Sequence, residues 1–166
     1  QDKKRLLQLQ EAFDSLPQPR WLRDKDQKII WVNDAYTDVV GYNLSDIIKD
    51  QKELKAVPRK VKGSKDKVLL GPELAAKAME SGGRESAEAH VNAGGKRLLM
   101  KISEMPLKGL DTTLGIVDDI TAQEELQSDM QRYQSSNREL LEQLHSAVAI
   151  YTADESLEFY NSAFAQ

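Results

Sequence analysis

The sequence predicts an α+β domain in which two strands are followed by several helices and then by three antiparallel strands. Three observations predict it. Two β-prone runs, "RWLRD" (20–24) and "KIIWV" (28–32), flank a turn-rich tetrapeptide. Helix signals follow at 33–41, near 45–48 and at 72–81. Three further β-prone runs, "RESAEAHV", "KRLLMKISEMPL" and "TTLGIVDDI", then alternate with turn material.

Residues 4–16 carry Leu6, Leu9, Phe13 and Leu16 at helical spacing, a narrow apolar seam that Pro17 and Pro19 end. The two runs around Asp24-Lys25-Asp26-Gln27 read as a hairpin. Asn33 stands where a helix should start, and its side chain suits a free N–H of the first turn. Ala35, Tyr36, Val39 and Val40 give that helix its inward face, and Gly41 ends it. Ser45 is the expected cap of a short helix through Ile47 and Ile48. Residues 49–67 hold eight Lys/Arg against three Asp/Glu. They read as a solvated loop, or as a landing patch for an acidic partner or phosphate. Pro72 suits the first position of a helix over 72–81, and Gly82 or Gly83 its stop. Asn92-Ala93-Gly94-Gly95 and Lys108-Gly109-Leu110-Asp111 link the last three strands as antiparallel neighbours.

Residues 121–144 are helical and mostly polar, with Leu126, Met130, Tyr133, Asn137, Leu140 and Leu144 at alternating spacings of 4 and 3. That heptad seam is too narrow for a core helix and predicts a coiled coil. Asn137 takes an a-type position. There an Asn is satisfied when its twin lies opposite, which favours a parallel two-stranded register at some cost in stability. Three heptads alone are marginal in water, so pairing should also need the flanking domains.

The chain also repeats itself. A shift of 128 residues places Leu16 on Leu144, Asp26 on Asp154, Trp31 on Phe159 and Asn33 on Asn161. The expected organisation is an N-terminal amphipathic helix (1–16), a domain over 17–120, a signalling helix (121–144), and at 145–166 the opening of a second copy of the domain.

Composition bounds the chemistry. The chain has 166 residues, 40% hydrophobic and 30% charged, enough for one modest core with a well-solvated exterior. Its net charge of −4, and a basic stretch without interleaved aromatics, argue against nucleic acid as a partner. The absence of cysteine removes disulfides, thiolate metal sites and cysteine nucleophiles. No run approaches the ~18 apolar residues of a membrane span. The expected location is cytoplasmic, compatible with a membrane-anchored parent.

Asp26, the apolar strand after it, Asn33-x-Ala35-Tyr36 and Gly41-Tyr42 together resemble a PAS domain over about 17–120. The resemblance implies a five-stranded antiparallel sheet with helices on one face. Asp119-Ile120-Thr121 is similar to that family's hinge between the last strand and an output helix. A second PAS start after a coiled-coil linker resembles the sensory half of a bacterial sensor histidine kinase, most like the DivL type.

That resemblance implies an interaction module that forms a homodimer and regulates a kinase module elsewhere in its parent, with a response regulator or other signalling protein as further partner. The alternative is a small-molecule PAS sensor of another signalling protein, such as a cyclic-dinucleotide enzyme. A PAS pocket would have Tyr36, Val39, Leu69, Leu74, Met79, Met100, Ile102 and Ile116 as walls, although a plain apolar core explains the same residues. Trp21 and Trp31 are expected on the opposite sheet face, and Asp119 is expected to pair with Arg20 or Arg23.

No catalytic residue, metal site or cofactor is expected. His145 lacks the acidic, Arg-Thr-Pro sequel of a phosphoacceptor helix and aligns with Pro17. His90 has no partner His or Cys. PAS haem proteins place a histidine on the helix corresponding to 72–81, which has none, and flavin photoadducts need a cysteine. Gly82-Gly83 and Gly94-Gly95 lack the Gly-Lys-Ser ending of a phosphate loop.

Overall fold

The computed structural model describes residues 2–60, 63 and 67–165; Lys62, Lys65 and Asp66 of the basic stretch lie outside them. The chain divides into two compact units, Gln1–Thr121 and Ala122–Gln166.

In the first unit, α1 (Asp2–Asp14) precedes the hairpin of β1 (Arg20–Arg23) and β2 (Ile29–Val32). Then come α2 (Asp34–Val40), α3 (Leu44–Asp50), β3 (Ala56–Pro58) and α4 (Pro72–Ser81). Three long strands close the unit: β4 (Glu85–Ala93), β5 (Lys96–Pro106) and β6 (Thr113–Asp119). The sheet runs β2-β1-β6-β5-β4-β3, every pair antiparallel. The last long strand thus inserts beside the first. The five expected strands are present, and β3 adds a sixth. It is three residues long and ends in Pro58, which cannot donate to a ladder and is tolerated because β3 is an edge.

Local chemistry explains the joints. Asp24 Oδ1 accepts from the amides of Asp26 (2.9 Å) and Lys28 (3.0 Å), folding the β1–β2 turn onto its own side chain. Asn33 caps α2, and Gly41 ends it at φ 76°. The cap of α3 is Asn43, not Ser45. Asn43 accepts from the Asp46 amide at 2.9 Å and its own side-chain amide donates to the Asp46 carboxylate at 2.9 Å, a reciprocal pair that Ser45 has no partner to make.

The core lies on one face of the sheet. Trp21, Ile29, Val32, Ala89, Val91, Met100, Ile102 and Val117 meet Tyr36, Ile47 and Leu74 from the helices. Trp21 therefore lies inside, contrary to expectation. Its cross-strand partners are Val32 and Gly115, and all three face the core. Trp31, one step out of phase, faces the other way and meets Phe13 edge-on, ring centroids 6.4 Å apart.

The second unit holds nearly all of α5 (Thr121–Glu142) and a hairpin of β7 (Ala149–Tyr151) and β8 (Leu157–Tyr160). It reproduces the start of the first unit at the same offset of 128. Helices end at Asp14 and Glu142, and the matching strands start at Ile29 and Leu157. The pairing irregularity between Leu22 and Arg23 recurs between Ile150 and Tyr151. Gln27 and Glu155 both take positive φ, 61° and 66°.

Candidate functional site

Three places carry the features that bear on function: the interior behind β1, the exit after β6, and the exposed seams of the two long helices.

Alternation along β1 puts Trp21 and Arg23 on the inner face, and alternation along β5 puts Ile102 and Glu104 there too. The indole N–H of Trp21 and the Arg23 Nε both donate to Glu104 Oε1, at 2.7 and 2.8 Å. The Arg23 Nη1 and Nη2 groups grip both oxygens of Glu53 at 2.7 Å each, a two-point pairing that fixes the guanidinium plane. Trp21, Arg23 and Glu104 are fully buried, whereas a third of the Glu53 side chain is exposed. Burial pushes the Glu104 carboxyl up, against the pull of Arg23 and Trp21. Burial also works against the Arg23 charge, but the hydrogen bonds and charges of Glu53 and Glu104 outweigh it and hold the guanidinium above its ordinary value. Glu104 Oε2 and Thr113 Oγ1 make no hydrogen bond of normal geometry, though the hydroxyl lies close enough to help lower the carboxyl. Tyr36 donates to the Lys52 carbonyl at 3.0 Å, and its ring lies 5.3 Å from that of Trp21.

The structure places the predicted pocket walls in several settings. Tyr36, Leu74, Met100 and Ile102 are core, with Val39 and Leu69 packed against them. Met79 is half-buried beside the buried face of α4, which is Leu74, Ala75 and Ala78. Ile116 faces the outer side because its neighbour Val117 pairs with Ile102 and points inward. Leu69 and Leu74 line a cleft of about 360 Å³, Val39 one of about 250 Å³, and Ile102 one of about 180 Å³ that it shares with Trp21, Arg23 and Glu53.

At the exit, Asp119, Ile120 and Thr121 form a knot tied to β5. The Thr121 hydroxyl donates to Asp119 Oδ1 at 2.6 Å and accepts from the Leu99 amide at 2.9 Å. The Thr121 amide also donates to Asp119 Oδ1, at 3.0 Å, and Ile120 N–H donates to the Leu99 carbonyl at 2.9 Å. Asp119 therefore serves the first turn of α5 and pairs with neither Arg20 nor Arg23. Register explains this: Arg20 lies opposite Ile116 and Arg23 opposite Thr113, both short of Asp119. Asp118, on the face of Arg20, accepts from Gln18 at 3.4 Å and lies 3.8 Å from Arg84.

The helix seams are open to solvent. Leu6, Leu9 and Phe13 of α1 are exposed and Leu16 is half-buried; no residue of α1 is buried. On α5, Leu126, Met130, Tyr133, Asn137 and Leu140 are all exposed, as is Leu144 beyond its end, with Leu126 at 71%.

His90 lies on β4 and His145 in a bend after α5. Among the described residues there is no cluster of three or more metal-ligating side chains, and no helix long and apolar enough to cross a membrane.

Sequence reasoning missed the buried charge network. Arg23 and Glu104 sit in β-prone runs where a charged residue ordinarily marks the solvent side. For Glu104 the available signal was its phase, two residues from the apolar Ile102 on a long strand; four-residue β1 offered Arg23 no such signal.

A PAS domain family model matches residues 7–68. The chain is 27% identical over 153 residues to the sensor protein DivL of Caulobacter vibrioides, covering 92% of this chain but 18% of that protein. It thus spans less than a fifth of that relative's length. An RNA-binding light-oxygen-voltage receptor shares the fold with a TM-score of 0.52 at 15% identity, over 76% of this chain and 36% of that one. The PAS domain of Bordetella pertussis BvgS is similar with a TM-score of 0.46 at 18% identity, over 79% and 98% of the two chains.

Proposed function

The chain carries a PAS domain, and from that premise we propose that it is a relay in a two-component sensor histidine kinase, regulating a kinase module elsewhere in the parent. The domain dimerises, and its state passes through Asp119-Ile120-Thr121 into α5, which pairs with the same helix of a second copy. Residues 145–166 open the next domain in the series. A response regulator or another signalling protein lies downstream. The relay needs no cofactor.

The observation that carries this reading is the exit knot. Thr121 joins the first turn of a helix with a wholly exposed apolar seam to Leu99, a buried residue of β5. A shift in the sheet therefore reaches the helix through short, directional bonds. A two-state equilibrium biased by a few kcal/mol is enough for such a relay. The interior supports it as well. Trp21, Arg23 and Glu104 are buried behind the sheet and hold one another by hydrogen bonds.

A second reading, a small-molecule sensor, draws on the cleft of about 180 Å³ at Trp21, Arg23 and Glu53. The test is phosphorylation by the full-length parent carrying Thr121→Val, together with native mass spectrometry of the wild-type chain. The relay reading predicts altered kinase output and a mass without added ligand. Unaltered output together with a bound metabolite would favour the sensor.

A further inference from the structure

Asn33 and Asn161 make the same set of bonds in two different places. Asn33 Oδ1 accepts from the amides of Arg20 (2.8 Å) and Tyr36 (3.2 Å), and its Nδ2 donates to the carbonyls of Leu16 (3.2 Å) and Gln18 (2.9 Å). Asn161 Oδ1 accepts from Val148 (2.9 Å) and Phe164 (3.1 Å), and its Nδ2 donates to Leu144 (3.3 Å) and Ser146 (2.9 Å). Each partner of Asn33 reappears 128 residues later. Asn161 adds the carbonyl of Leu141, within the last turn of α5, at 3.1 Å. Both side chains are buried, at 1% and 0% exposure.

We propose that these two asparagines are positioning residues that clasp an incoming helix to the domain it enters. A helix N-cap needs only the acceptor half of the side chain. Here the donor half is also used, and it is aimed at the carbonyls that follow a helix end: Leu16 and Leu144 each lie two residues beyond one. One side chain thus joins the link just after the incoming helix, the start of the first strand, and the turn that begins after the second strand, and Asn161 reaches into the helix itself at Leu141. No other side chain of this size offers two acceptor and two donor positions in one plane. Aspartate keeps the acceptors and loses the donors, leucine loses both, and glutamine is one methylene too long.

The clasp makes α1 and the last turns of α5 the same kind of element. Counted back from each asparagine, Leu9 and Asn137 stand at the same place, as do Leu16 and Leu144. A rotation or pull along either helix is delivered at its clasp to the hairpin beyond. The clasp deepens the relay reading by naming its input joint, but its geometry does not depend on that reading.

Aspartate separates clasp from cap, because it caps a helix as well as asparagine does. The experiment is hydrogen exchange on the 166-residue chain carrying Asn33→Asp or Asn161→Asp. The clasp predicts roughly tenfold faster exchange in the turns just before residues 16 and 144, from the loss of two or more hydrogen bonds, while α2 and the strand amides keep their protection. Asn33→Ser serves as a second variant should the aspartate charge disturb folding, with fluorescence of the buried Trp21 reporting that the domain is intact. Wild-type exchange before residues 16 and 144 in an intact domain would overturn the proposal and leave both asparagines as ordinary caps. Sedimentation of the same variants reads the helix seam instead, so failure of the clasp and failure of the relay are told apart.

Discussion

The indole of Trp21 occupies the space that a side chain at Gly115 would need: a β-carbon there would lie 1.9 Å from Trp21 Cε2. The two residues are cross-strand partners on the core face. The ring is stacked over bare backbone, and the glycine is required by its neighbour rather than by its own backbone angles. Gly115→Ala must displace the indole and with it the hydrogen bond to Glu104. The expected cost is about 3 kcal/mol, at the upper end of overpacking, read as a lower urea midpoint and a shifted tryptophan emission. A midpoint within error of wild type would show that the ring has room to move.

Arg23 neutralises two carboxylates, of which Glu104 is fully buried. Arg23→Met leaves Glu104 without its charge partner and should cost about 3–5 kcal/mol in chemical denaturation. Adding Glu104→Gln to Arg23→Met should recover a large part of that loss, because the uncompensated buried charge goes with it. Equal and additive losses would mean that the two residues do not act as a pair.

The raised carboxyl of Glu104 gives stability a pH dependence of definite sign. Below the ordinary carboxylate range it is protonated in both folded and unfolded chains. As pH rises the unfolded chain loses its proton first, so the folded state binds more protons and stability falls until the raised folded value is passed. The difference in unfolding free energy between wild type and Glu104→Gln should therefore move against wild type from about pH 4 upward. A constant difference across that range would remove the assignment.

Thr121→Val deletes the hydroxyl's bonds to Asp119 and Leu99, keeps the backbone amide bond to Asp119, and leaves the side chain nearly the same size. It should lower stability by about 1–2 kcal/mol and speed amide exchange in the first turn of α5. Unchanged exchange there would mean the knot holds nothing.

The strand–helix order, the caps at Asn33 and Gly41, the helix from Pro72 and the repeated phrase were legible in the sequence because each rests on local chemistry. Phase was harder. Trp21 was assigned to the wrong face because β1 is only four residues long, too short for alternation to declare itself, and the room for its ring comes from Gly115 on a neighbouring strand that is distant in sequence. Ile116 was misplaced by the same one-residue ambiguity. Asp119 was matched to an arginine by charge alone, whereas strand register decides the partner. The second role of Asn33, holding carbonyls of the link that follows the preceding helix, depends on contacts that local pattern does not reveal.

The proposed relay requires α5 to pair in parallel and in register with a second copy through its apolar seam. The chain has no cysteine, so a single one can be placed anywhere without background. Under mild oxidation Asn137→Cys, at the seam, should give a cross-linked dimer in high yield, because identical a-positions face each other in a parallel pair. Ser135→Cys, on the outward side, should give little. A failure of Asn137→Cys to cross-link, or equal yields at both positions, would contradict the account.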